Sequence, residues 1–278
     1  MAPARQARGP GDRELAAPGR SESDRPAGSL RSPQFQHVRH WPLASQCVRI
    51  RAPVQLNTSK RELTLKVVYY GPALSGKTTN LQALFGMLDV THRGDLTTLD
   101  TKGDRTLFFD LLPVHFRTRS GMKVKVKLFT VPGQVVHEST RRIVLSGTDA
   151  VVFVADSQRK GVQANNDSFE NMQRNLRANN LDPDRIPAVI QFNKRDLPDV
   201  LSDEELIEMS KRGKEPVFSA VALTGQGVVE TLKGVMLILY RSLDAEHDFG
   251  RKFGISEREF IHNVFEKLEA ARAAESSR

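Results

Sequence analysis

Short apolar runs alternate with helical patterns between residues 56 and 243. The run 63–70 is rich in β-branched and aromatic residues, which predicts a strand. Residues 150–155 form a continuous apolar run and 186–192 a short apolar run, both suited to buried parallel strands. Apolar residues recur at helical spacing after the first run, at Leu81, Leu84, Phe85 and Leu88. This alternation predicts an α/β fold with a doubly wound, mostly parallel sheet flanked by helices.

Two further strands are predicted at 106–116 and 122–131. The turn Ser120-Gly121 between them is too short for a crossover helix, so we expect one antiparallel pair at an edge of the sheet. The polar segment 92–105 that precedes this pair is too long for a tight connection. Such a loop is usually functional or mobile.

The segment before residue 56 has a different composition. Residues 1–55 are crowded with Pro, Arg, Gly, Ser and Gln, which predicts a disordered tail. Residues 1–60 contain ten Lys and Arg against four Asp and Glu, so most of the net charge of +8 belongs to this tail. A basic tail is attracted to anionic lipid, nucleic acid or an acidic protein surface, or it is a solvated linker without a fixed partner. No signal for specific nucleic-acid recognition accompanies it.

Residues 244–278 form a C-terminal extension with its own helical signal. The sequence 256–259 has the form of a capping box, as does 202–205 inside the domain. The segment 256–259 precedes an apolar stripe made of Phe260, Ile261, Val264, Phe265 and Leu268. Packing against the domain and docking into a partner groove both explain the stripe, and the first is favoured.

Cysteine content and hydropathy indicate the compartment. Cys47 is the single cysteine, so an internal disulfide is excluded. No stretch approaches the roughly 20 apolar residues that span a bilayer, and no apolar core follows the N-terminal positive charges. We therefore expect a cytoplasmic protein without a transmembrane segment.

The candidate chemistry begins directly after the first predicted strand. The segment 71–78 fits the phosphate-binding pattern G-x-x-x-x-G-K-[ST], in which backbone N–H groups point at nucleotide phosphates. Lys77 would bring its charge to the terminal phosphates, and the Thr78 hydroxyl would ligate Mg²⁺. Since a helix follows, the phosphates would lie at its positive end. The residues predicted to contact the nucleotide here are Gly71, Ala73, Leu74, Ser75, Gly76, Lys77, Thr78 and Thr79.

A second motif, Asn193-Lys194-Arg195-Asp196, follows the apolar run 186–192 and concerns the base. Guanine presents two neighbouring donors, N1–H and N2–H, and the Asp196 carboxylate could accept both bonds, which adenine cannot supply. A polar loop after a strand is the ordinary alternative. The position after a phosphate-binding loop favours guanine, and Asp196 argues against an ATPase.

These segments resemble the MglA-type (gliding-motility) small Ras-like GTPases of bacteria over about residues 55 to 243. The motifs appear in order, at 68–72, 76–81, 104–110, 130–134, 151–157 and 193–198. The resemblance implies a GTP/GDP switch that needs Mg²⁺, is active when GTP-bound, and sets cell polarity and surface motility. It also implies a GTPase-activating partner of the MglB type with a Roadblock domain. The long tails are similar to those of the SofG-like branch, which is linked to bactofilin filaments, type IV pili and the cell pole.

The resemblance also assigns roles to residues of the switch regions. Thr106 matches the residue that reaches Mg²⁺ and the γ-phosphate, and Arg105 matches a built-in arginine that stabilises the transferring phosphoryl group, although a solvated loop arginine is the alternative. Gly133 would offer its N–H to the γ-phosphate, and Gln134 would orient the attacking water. Ser219-Ala220 resembles the third base-contacting loop, whose backbone N–H faces guanine O6.

The sequence departs from the general Ras pattern at the metal site. Thr130 stands where an Asp usually holds the outer shell of the metal, and the MglA-type family shares this Thr. We expect Asp110 to take over, because Thr106 and Asp110 lie four apart on one predicted strand and so share a face. Mg²⁺ with its waters would be a good partner for a carboxylate at the buried end of a strand. An ordinary strand Asp is the alternative.

A second departure concerns the rate of hydrolysis. Ala73 occupies a loop position where the family usually carries Gly, and its Cβ would point toward the γ-phosphate. We expect nucleotide binding to survive and hydrolysis to slow, by about 10²–10³-fold if one transition-state contact is lost. A small shift of the loop could also accommodate the methyl group. Two functions therefore remain open, a slow GTPase switch helped by a partner and a GTP-binding polarity scaffold with little hydrolysis.

Overall fold

The computed structural model describes residues 55–57, 59–88, 93–99, 109–118, 120–133, 137–262 and 265 of the chain. The strands are β1 (Gln55–Asn57), β2 (Glu62–Tyr70), β3 (Thr97–Leu99), β4 (Phe109–Arg117), β5 (Lys123–Thr130), β6 (Ala150–Asp156), β7 (Ala188–Asn193) and β8 (Val217–Ser219). The helices are α1 (Lys77–Met87), α2 (Glu138–Leu145), α3 (Val162–Ala178), α4 (Asp203–Arg212), α5 (Val228–His247) and α6 (Phe249–Phe253). A 3-10 turn (Arg159–Gly161) precedes α3, and residues 257–262 are also helical.

All the described strands belong to one sheet. Their order is β3-β4-β5-β2-β6-β7-β8, and β1 pairs with β2. The five strands β5, β2, β6, β7 and β8 run parallel. Central strand β6 is buried along nearly its whole length, because helices cover both faces of the parallel part. The predicted α/β class with a doubly wound, mostly parallel sheet is confirmed.

The antiparallel part of the sheet is larger than predicted. β4 and β5 pair antiparallel through the expected turn at Ser120-Gly121. However, β3 adds a second antiparallel pair on the outer side of β4, and β1 pairs antiparallel with β2. β3 lies inside the segment 92–105, which the sequence indicated to be a loop. A three-residue strand is too short to show an alternating pattern, so its pairing with β4 decides its structure. The predicted start of β4 at Thr106 lies outside the described residues.

The two faces of the sheet cover separate cores. Leu63, Leu65 and Val67 of β2 point to the core under α1 and α5, whereas Val68 and Tyr70 point to the core under α2, α3 and α4. The first part of β2 alternates because successive side chains point to opposite faces. α4 starts with the predicted capping box, in which the Ser202 hydroxyl and the Glu205 backbone N–H form one of the two reciprocal bonds. These cores hold the ends of the parallel strands in place.

The chain after α5 packs back onto the first core. The Tyr240 hydroxyl donates to the Ile255 carbonyl at 2.6 Å, and Phe260 and Phe265 are fully buried in that core. The Phe260 ring meets Phe116 edge-on, with 5.7 Å between centroids. The described part of the predicted stripe therefore packs on the domain, while Val264 and Leu268 lie outside the described residues. Within the part of the chain that is described, no helix is both long and apolar enough to cross a membrane.

Candidate nucleotide-binding site

The phosphate-binding loop connects β2 to α1. Its last glycine, Gly76, is the N-cap of α1 with φ of +97°, and a Cβ there would lie 2.2 Å from Asn193 Nδ2, so only glycine fits. No described side chain caps α1. The backbone N–H groups of its first turn therefore still need acceptors, and the helix dipole favours an anion at this end. These properties fit a phosphate ligand.

Lys77 is a buried cation at this helix end. Its side chain is 7% exposed, and Nζ donates to the carbonyls of Gly71 at 3.0 Å and Pro72 at 2.6 Å. Burial, together with repulsion from Arg141, lowers the pKa of Lys77 to about 7, and attraction from Asp110 opposes this change. The phosphates of a nucleotide would supply negative charge and stabilise the protonated amine.

A carboxylate and two hydroxyls meet beside the loop. Asp110 Oδ2 accepts from Thr78 Oγ1 at 2.6 Å and from Thr130 Oγ1 at 3.0 Å. The backbone N–H of Asp110 also donates to Thr130 Oγ1 at 2.9 Å. Asp110 is 6% exposed. The structure therefore places the Asp110 carboxylate against the hydroxyl predicted to ligate Mg²⁺, and this oxygen-rich set is the kind that Mg²⁺ binds.

Asn193 joins the phosphate loop to the base-recognition segment. Its Nδ2 donates to the Ser75 carbonyl at 2.9 Å, and its Oδ1 accepts from the Ala222 N–H at 2.8 Å. The side chain is 2% exposed. Because both of its ends are bonded to backbone, Asn193 holds three separate loops in one arrangement.

The rest of this segment forms a turn. Lys194 has φ of +66°, and its Nζ lies 2.7 Å from Asp156 Oδ2 at the end of β6. The N–H of Leu197 donates to the Lys194 carbonyl at 3.2 Å, which leaves Asp196 exposed at the surface of the turn. Its carboxylate is therefore accessible to a ligand at the carboxyl end of the parallel strands, where such folds bind nucleotides.

The role predicted for Ser219-Ala220 needs a correction. The Ala220 N–H donates to the Phe192 carbonyl at 2.9 Å and so continues the pairing of β7 with β8, which makes it unavailable to guanine O6. The loop instead reaches Asn193 through Ala222, and the next residue, Leu223, is 82% exposed. The Ala220 N–H therefore belongs to the sheet, and the turn that follows it contains Gly225 and Gly227, both with positive φ.

A buried amide network behind the site was not predicted. Gln191 Nε2 donates to Asn80 Oδ1 and to Thr231 Oγ1, both at 2.9 Å. Asn80 Nδ2 donates to the Gly76 carbonyl at 2.9 Å, and Thr231 Oγ1 donates to the Gly227 carbonyl at 2.7 Å. Gln191, Asn80 and Thr231 are 0% exposed. A glutamine inside an otherwise apolar strand was the only sequence signal for this link between the phosphate and base loops.

The second switch region begins in contact with the phosphate-binding loop. A Cβ on Gly133 would lie 2.6 Å from the Ala73 backbone nitrogen, so the two backbones leave no room for a side chain. Ala73 itself is exposed. Arg105, Thr106 and Gln134, which were assigned catalytic and metal-binding roles, lie outside the described residues.

Polar contacts behind the second switch connect α2 to α3. Arg141 is 3% exposed and pairs with Glu138 on its own helix. Asn171 Nδ2 donates to Glu138 Oε1 at 3.0 Å, and its Oδ1 accepts from the Tyr70 hydroxyl. Burial raises the pKa of Tyr70 to about 12. Since repulsion from Arg141 lowers the pKa of Lys77, this cluster is coupled electrostatically to the phosphate site.

Comparison with known proteins identifies the family of the chain. Residues 54–238 match the family model described as the ADP-ribosylation factor family. The Mutual gliding-motility protein MglA of Myxococcus xanthus (strain DK1622) is 46% identical over 188 residues, which cover 68% of this chain and 96% of that protein. Residues 54–238, which match the family model, include every described residue of the candidate site.

Proposed function

The chain belongs to the MglA-type small GTPases of the ADP-ribosylation factor family, and we propose that it is a Mg²⁺-dependent GTP/GDP switch that regulates cell polarity and surface motility. One observation carries the nucleotide assignment. Asn193 bonds both the phosphate loop, at Ser75, and the base-facing turn, at Ala222. One side chain thus aligns a phosphate site and a guanine site, which a phosphate-only protein would not need.

In this proposal the ligand is held at both ends. Lys77 and the first-turn N–H groups of α1 bind the phosphates, and Asp196 accepts the N1–H and N2–H of guanine. Thr78 and Thr106 would hold Mg²⁺, and Asp110 would orient the Thr78 hydroxyl by accepting its hydrogen bond. When bound, the metal would neutralise negative charge on the phosphates.

Hydrolysis requires residues of both switch regions. Gln134 orients a water molecule in line with the γ-phosphorus. The bond from the water oxygen to this phosphorus forms while the bond from the phosphorus to the oxygen that bridges the β- and γ-phosphates breaks. The Gly133 N–H and the Arg105 guanidinium stabilise negative charge that develops in the transition state. These roles are proposed from the family pattern and from the position of Gly133 beside Ala73.

A GTP-binding scaffold with little hydrolysis is the second candidate, and Ala73 favours it. The backbone of Ala73 lies beside Gly133, the residue that Gln134 follows directly. A methyl group there competes for space with groups that must approach the γ-phosphate. We therefore propose slow turnover without an activator, and a Roadblock-domain protein of the MglB type as the activator.

The cellular role follows from the relative named above. We propose action in the bacterial cytoplasm, at the cell pole or on cytoskeletal filaments, with the tails contributing to localisation. A bactofilin or a similar polar filament protein, acting in gliding or in the placement of type IV pili, is the proposed effector.

The test compares binding of GTP and ATP to the purified chain, followed by single-turnover hydrolysis with and without a Roadblock-type activator. We expect GTP-selective binding and activator-stimulated hydrolysis, whereas binding without turnover would select the scaffold. Asp196→Asn should shift preference toward xanthine nucleotides, because xanthine has a carbonyl where guanine has its N2 amine. Asp199→Asn, at an exposed position of the same turn, is the matched control. If Asp196→Asn leaves the preference for guanine intact, the base assignment is wrong.

A further inference from the structure

A cluster of basic side chains covers part of one sheet face, away from the nucleotide site. Lys123, Lys125 and Lys127 alternate along β5 with buried apolar residues and so point to the same side. The neighbouring strands add Arg117, opposite Lys123 on β4, and Lys66, opposite Lys127 on β2. We call these five residues the basic face.

Little negative charge balances the basic face. Glu62 pairs with Lys125 at 2.7 Å and lies opposite Lys123, and the Asp149 carboxylate accepts from the backbone N–H of Lys66. Two cross-strand pairs, Arg117 with Lys123 and Lys66 with Lys127, place like charges directly opposite each other, which destabilises a sheet. Since β5 is an interior strand, protection of a sheet edge does not explain its lysines. A partner that neutralises their charge explains these lysines.

Neither terminal segment of the chain has an excess of acidic residues. Residues 1–54 contain nine Lys and Arg against four Asp and Glu, and residues 266–278 contain three of each. A second copy would present the same positive face and would be repelled. The partner is therefore a different, anionic molecule.

We propose that the basic face binds an anionic lipid bilayer. β5 supplies lysines, which act as hydrated point charges, whereas recognition of one defined phosphate or carboxylate favours the planar fork of arginine. Phe129, which follows the basic face along β5, already lies under Lys66 at 4.8 Å, so it is not open for stacking on nucleic-acid bases. The N-terminal segment is also basic in sequence, so its charge would add to the attraction by an anionic surface.

The test uses the full chain and cosedimentation with vesicles. Lys123→Gln/Lys127→Gln removes two charges from the basic face, and Lys160→Gln/Lys252→Gln removes two exposed charges elsewhere. Each lysine near an anionic bilayer contributes about five-fold in binding. We therefore expect the first variant to lose about 25-fold in partitioning to phosphatidylcholine vesicles containing phosphatidylglycerol. The control should stay near the parent, and vesicles of phosphatidylcholine alone should bind little of any protein.

Three results would overturn the proposal. Equal partitioning of the two double variants to the vesicles would show that the basic face does not contribute to binding. Vesicle binding that does not weaken when salt is added would show that charge does not drive it. If the two double variants differ in binding to heparin or duplex DNA but bind equally to vesicles, the basic face binds a soluble polyanion and not a bilayer. Retention of bound nucleotide checks that both double variants are folded. If Lys123→Gln/Lys127→Gln does not fold, Arg117→Gln at an exposed position of the same face repeats the test.

Discussion

Replacing Asp110 by Asn tests the metal site most directly. The change keeps the volume of the side chain but removes the charge that accepts from Thr78 at 2.6 Å and from Thr130 at 3.0 Å. Hydrogen bonds to a charged acceptor contribute about 1.5–3 kcal/mol, against about 1 kcal/mol for neutral ones, so the two bonds together should weaken by about 1–4 kcal/mol. Because Asp110 is buried, water would not restore them.

The expected consequence is weaker metal binding. Loss of a residue that orients a metal ligand usually lowers affinity or activity by about 10–100-fold. We therefore expect the Mg²⁺ concentration that half-maximally retains bound nucleotide to rise by about this factor in Asp110→Asn. Nucleotide binding in excess chelator should change much less, since Lys77 and Asn193 remain in place.

The assay is release of a fluorescent GDP analogue over a titration of Mg²⁺. Asp167→Asn is the control, because Asp167 is an exposed carboxylate on α3 that accepts a hydrogen bond from Gln163 at 2.7 Å. The exchange Asp110→Thr with Thr130→Asp should restore part of the Mg²⁺ dependence by moving the carboxylate to the neighbouring strand. Identical Mg²⁺ titrations for Asp110→Asn, Asp167→Asn and the parent would refute the assignment of Asp110.

Three further predictions concern the loop and its support. Because the pKa of Lys77 is lowered from 10.5 to about 7, the unfolded chain binds more protons between these values, so the nucleotide-free protein should gain stability as pH rises from 7 toward 10. GTP binding above pH 7 should then be accompanied by uptake of a proton, so the heat of binding measured by calorimetry should depend on the ionisation enthalpy of the buffer. The same heat of binding in different buffers would contradict this. Ala73→Gly should raise single-turnover hydrolysis by about 10²–10³-fold, and equal rates would discard the steric argument. Gln191→Leu leaves Asn80 and Thr231 without their donor and should lower the free energy of unfolding by about 2–6 kcal/mol in urea titrations, where an unchanged midpoint would argue against the network.

Local patterns allowed much of the fold to be predicted from the sequence. The strand before the phosphate loop, the helix after it and the capping box at Ser202 each depend on residues within a few positions of one another. The apolar run of β6 likewise predicted a strand covered on both faces. Such patterns can be recognised in a single sequence because propensity, periodicity and turn chemistry depend on residues that are close together along the chain.

The site's internal geometry depended on contacts between distant residues. Asn193 bonds Ser75 across 118 positions, and Gln191 bonds Asn80 across 111. The order of strands β5, β2, β6 and β7 brings these residues together, and no local pattern encodes a distance across a sheet.

The order of the motifs and the chemistry that each can perform are readable from the amino acids alone. The register of the strands depends on the folded sheet. The pairing of β7 with β8 uses the Ala220 N–H, and the following turn contacts Asn193 through the Ala222 N–H instead. The partner strand β4 made a three-residue segment into β3, and the pairing of β4 with β5 set the Asp110 carboxylate against Thr130. Backbone hydrogen bonds between strands fix such positions to one residue, because a slip by one would turn every side chain to the opposite face.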